Sequence, residues 1–161
     1  MMSVGELRSH IYEVTKDSRI LSVDFGTVRV GIATCDALHI SISPKGTLLY
    51  SENNFWDKFL EILATEKISA IVVGMPEPNN NTTEISITHK KILTDIEKFI
   101  FELRNKTNLP VFTHDESFSS KRAVETMLMI GKKKKERAKK GTTDKIAAAV
   151  ILQNFIEFYN L

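Results

Sequence analysis

Three acidic residues stand at the ends of apolar segments that lie far apart in the chain. Asp24 closes Ile20-Leu21-Ser22-Val23, Glu116 follows the segment Pro110 to His114, and Asp144 sits just before Ile146-Ala147-Ala148-Ala149. Carboxylates gathered from three distant segments repel one another unless a cation neutralises them. Hard divalent cations, Mg²⁺ above all, prefer such oxygen ligands. A site of that kind suits chemistry on phosphates, where bound metal stabilises the attacking and leaving oxygens.

Each residue also has a plainer reading. Asp24 could serve the turn before Gly26, since Asp favours turns. Glu116 taken singly reads as a solvated loop carboxylate, and its neighbour Asp115 competes with it for the inward position. Asp144 falls in the first turn of a helix, where the unpaired N–H groups and the helix dipole favour a carboxylate by roughly 0.3–1 kcal/mol. The case for chemistry rests on all three occurring together. His114, at a strand end, reads more readily as a hydrogen-bonded structural residue than as a base. His10, His39 and His89 have no partner spacing, and Cys35 has no His or Cys at ligand distance in sequence. Ser117 to Ser120 lack the Gly-x-Ser-x-Gly context of a hydrolase nucleophile. Gly26 to Gly31 match neither a dinucleotide nor a P-loop pattern.

Those residues need elements to position them. Val4, Leu7, Ile11 and Val14 recur at helical spacing and predict a short amphipathic helix over 4–16. Ile20 to Asp24 reads as a buried strand, Gly26-Thr27 as a turn, and Val28 to Thr34 as the second arm of a hairpin. Ile40 to Leu49 is a third strand that Pro44 and Gly46 confine to an edge. A helix over 54–66 carries Phe55, Phe59, Ile62 and Leu63. Ile68 to Val73 is β-branched and apolar on both faces, the pattern of a central parallel strand, and it ends at Gly74. A Pro- and Asn-rich loop follows. Asn81 and Glu84 have capping-box spacing before a long helix whose stripe is Ile85, Thr88, Ile92, Ile96, Phe99 and Leu103. Pro110 to His114 is a short strand, Ser119 caps another helix, and Thr142 or Thr143 caps the last. The fold class is therefore α/β: a mixed five-stranded sheet, an antiparallel three-strand meander plus parallel strands, flanked by helices.

At 161 residues, 42% hydrophobic and 26% charged, the chain suits one globular domain. A single cysteine excludes an internal disulfide. No apolar stretch approaches the roughly 18 residues of a membrane span, and the first residues lack the basic-then-apolar order of a secretory signal. Net charge is only +2, but residues 132–140 hold seven bases and one acid, so the rest of the chain carries a net negative charge. Such a run is either a nucleic-acid contact or a solvated loop.

Val23-Asp24-Phe25-Gly26-Thr27, followed by Arg29-Val30-Gly31-Ile32-Ala33, resembles the opening hairpin of the YqgF (RuvX) family, proposed nucleases of pre-16S rRNA related to Holliday-junction resolvases. Ile71-Val72-Val73-Gly74-Met75-Pro76, His114-Asp115-Glu116-Ser117 and Lys140-Gly141-Thr142-Thr143-Asp144 match in family order. The resemblance implies an RNase H-like fold over 19–161, with residues 1–18 as a helical extension. It implies that Asp24, Glu116 and Asp144 are the catalytic and metal-binding triad for Mg²⁺ or Mn²⁺, with Asp24 bridging two ions. It places Thr27, Arg29 and Lys140 near the nucleic acid. The rest of the basic run, Lys132, Lys133, Lys134, Lys135, Arg137 and Lys139, would hold phosphates. The implied setting is cytoplasmic processing of the 5′ side of the small-subunit RNA, on rRNA precursors or ribosomal particles, by a monomer or homodimer. Ser117 stands where the family has Arg, and the loop after Pro76 lacks the family's Gly. Two other classes remain open. A resolvase acting on branched DNA would need a dimer with two sites, and an RNA-binding assembly factor would keep the fold without cleavage.

Overall fold

The computed structural model describes residues 1–76, 87–116 and 142–161, with 142–144 by backbone alone. The five strands form one sheet in the order β3-β2-β1-β4-β5. β1 (Arg19–Phe25) lies at its centre, buried over four consecutive residues. β2 (Arg29–Cys35) and β3 (Ile42–Leu49) run antiparallel as a meander, and β4 (Ile68–Met75) and β5 (Val111–Asp115) run parallel to β1. The expected mixed sheet is thus present. β3 is an edge strand with alternating exposure, which is why Pro44 is tolerated there: its missing N–H costs nothing on the open side.

Four described helices flank the sheet: α1 (Val4–Thr15), α2 (Phe55–Thr65), α3 (Ile87–Lys106) and α4 (Thr142–Tyr159). Successive strand residues point to opposite faces, and the apolar residues on both sides of β1 and β4 need a cover on each. On one face Leu21, Val23, Ile71, Val73 and Val111 pack under α2 and α3 with Phe55, Phe59 and Phe99. On the other, Ile20, Cys35 and Val72 meet Ile151, Leu152, Phe155 and Ile156 of α4, and Ile11 of α1. Each large apolar side chain buried in this way contributes roughly 1.5–3 kcal/mol.

α1 begins with a reciprocal cap. Ser3 Oγ accepts from Glu6 N at 3.2 Å, and Glu6 Oε2 accepts from Ser3 N at 2.6 Å. The helix then lays Ile11 against the sheet, and Arg8 donates to the Phe158 carbonyl in the last helix at 3.3 Å.

Two expectations are corrected. β4 does not stop before Gly74; it runs on through Gly74 and Met75, which pair with His114 and Asp115. The stripe assigned to α3 is only half buried: Ile96, Phe99, Ile100 and Leu103 are covered, but Thr88 and Ile92 are exposed. Periodicity identifies the apolar side of a helix, not where along it the partner surface ends, and only the C-terminal half of α3 packs on the core. Ile85, the Asn81–Glu84 cap, the helix expected from Ser119, and the basic run 132–140 lie outside the described residues.

Candidate functional site

The parallel strands β1, β4 and β5 end on the same side of the sheet, where open α/β sheets commonly bind ligands. Alternation decides what each end presents. On β1, Ile20 and Ser22 face α4, so Asp24 does as well, while Leu21, Val23 and Phe25 face α2 and α3. On β5, Phe112 and His114 face α4, and Val111 and Asp115 face the other way. Alternation thus turns Asp115 toward the face covered by α2 and α3. Glu116, one residue past the strand, returns to the α4 face: a Cβ built on Gly74 would come within 2.8 Å of its Oε1 and would also collide with Ile151 of α4.

Gly74 therefore sits between the two carboxylate-bearing strand ends. Val23 pairs with Val73, so Asp24 and Gly74 are the next positions along in register. Gly74 itself pairs with His114. The glycine leaves a gap in this row, and the Glu116 carboxylate occupies it. No bulkier residue fits there without pushing either Glu116 or Ile151 aside.

Electrostatics mark Glu116 as well. Burial pushes its carboxyl pKa up, and the neighbouring negative charge of Asp115 adds to the shift. A carboxylate held half-buried, with its ionised form disfavoured, has something to gain from a cation. Asp24 is also half-buried. Oxygen ligands of this kind suit Mg²⁺ or Mn²⁺, and the residues present fit such an ion. Among the described residues no group of three His, Cys, Asp or Glu side chains stands at metal-holding spacing. The third carboxylate expected from the sequence, Asp144, contributes only its backbone to the description.

That backbone is nonetheless placed. Asp144 lies in the first turn of α4, one turn before Ala148. Ala148 packs with Ala33 against the sheet, and its carbonyl accepts a 2.5 Å hydrogen bond from Ser22 Oγ. Ser22 is fully buried and stands on β1 on the same face as Asp24. Thr27 and Arg29 flank the β1–β2 turn at the Asp24 end of the sheet, Thr27 exposed and Arg29 half-buried. Gly26 opens that turn because a Cβ there would meet the Arg29 carbonyl oxygen at 2.6 Å.

His114 is 4% exposed, its ring edge-on to Phe155 at 5.9 Å. Burial pulls its pKa down, against an upward pull from Asp115. This environment fits the structural reading better than that of a base. Cys35 is buried, as its strand position suggests. Ser22 and Gly74 are not among the candidate site residues that the sequence pattern singles out. The available signal was spacing: Ser22 is a polar residue inside an apolar strand, two positions before Asp24 and so on its face.

Comparison with known proteins bears on the same segments. The RuvX family, described as "Holliday junction resolvase", matches residues 18–158. A relative from Amoebophilus asiaticus named "Putative pre-16S rRNA nuclease" is 35% identical over 143 residues, covering 88% of this chain and 95% of its own. Another of that name, from Christiangramia forsetii, is 36% identical over 141 residues, covering 86% and 98%. Among solved structures, Thermus thermophilus RuvC in complex with a Holliday junction substrate superposes with a TM-score of 0.57 at 11% identity, covering 89% of this chain and 94% of that one. The yeast mitochondrial resolvase Ydc2 gives 0.56 at 13% identity, covering 99% and 87%. These two likenesses speak for the fold, which is that of RNase H-like resolvases. The family match over 18–158, together with relatives alike along nearly their whole length, makes this chain a member of the RuvX family, a hydrolase of phosphodiester bonds.

Proposed function

We propose that this nuclease acts on pre-16S rRNA, as the names of its relatives suggest, that it trims the 5′ side, and that it does so with divalent cations held by Asp24, Glu116 and Asp144. The observation that supports this most is the shared face: Asp24 and Glu116 flank Gly74 on the side of the sheet covered by α4, the helix whose first turn contains Asp144. Mg²⁺ or Mn²⁺, when bound, would supply an activated water and charge neutralisation at the phosphate. The chain's own part is to fix carboxylate oxygens on one face and to keep Asp115 turned away. Thr27 and Arg29 at the hairpin would approach the nucleic acid from the Asp24 end. The run Lys132, Lys133, Lys134, Lys135, Arg137, Lys139 and Lys140 would hold phosphates, a contact that carries little sequence information and weakens steeply with salt. Residues 1–18 form an extension to a single catalytic domain over 19–161. The setting is cytoplasmic, with rRNA precursor or ribosomal particles as partner; among the described residues no helix is long and apolar enough to cross a membrane.

The test is a cleavage assay in Mg²⁺ and in Mn²⁺. It offers single-stranded RNA, a 5′-extended small-subunit rRNA precursor and a four-way DNA junction side by side, with Asp24→Asn as control. Cation-dependent cutting of the precursor, lost in a folded Asp24→Asn protein that still binds RNA, is the expected outcome. Cutting of the junction alone would move the protein to the resolvase class that its family description names. RNA binding with no cutting of any substrate would make it an assembly factor.

A further inference from the structure

We infer that Ser22 is a positioning residue for the candidate site, tying the first turns of α4 to β1 so that Asp144 is held at a fixed distance from Asp24. The inference rests on the proposed function and adds a residue to it. The α4 face of β1 reads Ile20, Ser22, Asp24, so Ser22 is a lone hydroxyl between an apolar contact and a carboxylate. Burying a hydroxyl is unfavourable unless it is bonded, and an alanine or valine would fill a strand position against a helix equally well. The hydroxyl is bonded, and its partner is informative. Ser22 Oγ donates to the Ala148 carbonyl, with the Ala33 carbonyl at the edge of reach at 3.5 Å. A helix carbonyl already accepts a bond from within its helix, so Ser22 adds a second bond that crosses from sheet to helix. The close approach depends on Ala33, Ala148 and Ala149, all fully buried and too small to hold the backbones apart.

The geometry follows from two repeat lengths. Along β1, Asp24 is two residues beyond Ser22, about 6.6 Å on the same face. Along α4, Asp144 is four residues before Ala148, about 6 Å and on the same side of the helix. Each carboxylate-bearing position is therefore one short step from the same hydrogen bond. The bond is buried and shielded from water. A residue that orients ligand-bearing elements in this way typically changes affinity or activity by about 10–100-fold when removed.

The experiment compares wild type with Ser22→Ala and Ser22→Cys, the latter keeping a weak donor of similar size. Hydrogen exchange of the amides from Ile146 to Ala149 is measured without cation or RNA. Mg²⁺ and Mn²⁺ affinity is measured by calorimetry, RNA binding in EDTA, and cleavage against Mg²⁺ concentration. In Ser22→Ala, exchange in this turn should rise about tenfold, and the Mg²⁺ needed for half-maximal cleavage should rise at least as much. RNA binding should stay within about twofold, because phosphate contacts supply most of that affinity. Ser22→Cys should fall between. A folded Ser22→Ala protein with unchanged exchange in the first turns of α4 and unchanged cation dependence overturns the inference. Should wild type bind no cation and cut nothing, the proposed function fails; the exchange measurement then still decides whether Ser22 holds the helix.

Discussion

The Glu116 carboxylate lies in the space left by the missing side chain of Gly74, 2.8 Å from where a Cβ would stand. This row of candidate site residues is thus built partly from an absence. Replacing Gly74 with Ala forces the carboxylate or Ile151 to move, and overpacking of that sort costs about 1–3 kcal/mol. The expected outcome is a folded protein of lower Tm whose Mg²⁺-dependent cleavage falls by about tenfold or more. Thermal melts alongside the cleavage assay check it, and wild-type activity in Gly74→Ala would remove Glu116 from the site.

A second prediction concerns pH. A carboxyl whose folded pKa is raised holds its proton more tightly when folded. It therefore favours the fold below its unfolded value, near 4.5, and this contribution is lost as pH rises through the folded value. Glu116→Gln keeps the shape and removes the titration. In EDTA, the variant should gain in Tm over wild type as pH rises from about 4.5 toward neutrality. Added Mg²⁺ should then raise the wild-type Tm more than that of the variant. Parallel melting curves across this range would refute the assignment.

Asp115 and Glu116 are adjacent in sequence but belong to opposite faces of the sheet. Asp115→Asn should leave cleavage within a few-fold of wild type, whereas Glu116→Gln and Asp24→Asn should each lower it by about three orders of magnitude or more. Because Asp115 helps to raise the Glu116 pKa, the Asn variant should also shift the acid limb of the pH–rate profile to lower pH. A large loss of kcat in Asp115→Asn would show that the strand parity has been misjudged.

Ile11 offers a contrast. It is 1% exposed and sits in the same cluster as Val72, Phe155 and Ile156. Truncation to Ala should cost about 2–5 kcal/mol, and the Mg²⁺ dependence of cleavage should not change. Denaturant unfolding and the cleavage assay together separate this effect from that of Ser22→Ala.

Cys35 should be chemically quiet. Burial pushes its thiol up to about 11, opposed by the hydrogen bond it accepts from the Ile20 amide. Thiolate is the reactive form, so iodoacetamide at pH 8 should label unfolded protein and spare the native one. Rapid labelling of the folded chain would mean that this face of the sheet opens readily.

Much of the architecture was legible in the sequence because β1, β4 and the last helix carry dense apolar patterns. The burial of β1 and the edge position of β3 followed from Ile20 to Val23 and from Pro44. What escaped was set by contacts between segments. Gly74 looks like a strand stop by local propensity, but it continues β4 because it pairs with His114 of β5. Which face Asp115 takes depends on the phase of β5, and that phase is set by Phe112 meeting Phe155. Ser22 is a polar residue within an apolar run, and its short hydrogen bond depends on the approach of Ala148, more than a hundred residues away in the chain. The exposed first half of α3 has the same origin: Ile92 is on the apolar side of its helix, yet too far along it to reach the core.

α1 and α4 meet, with Ile11 and Phe155 in one cluster and Arg8 on the Phe158 carbonyl, and α4 also carries Asp144 in its first turn. During translation, then, β1 and its Asp24 are made long before α4. Until α4 is made, Ile20 and Val72 lack their cover and the acidic residue of its first turn is missing. For an enzyme proposed to cut the RNA of the machine that synthesises it, the candidate site would stay incomplete until that helix exists.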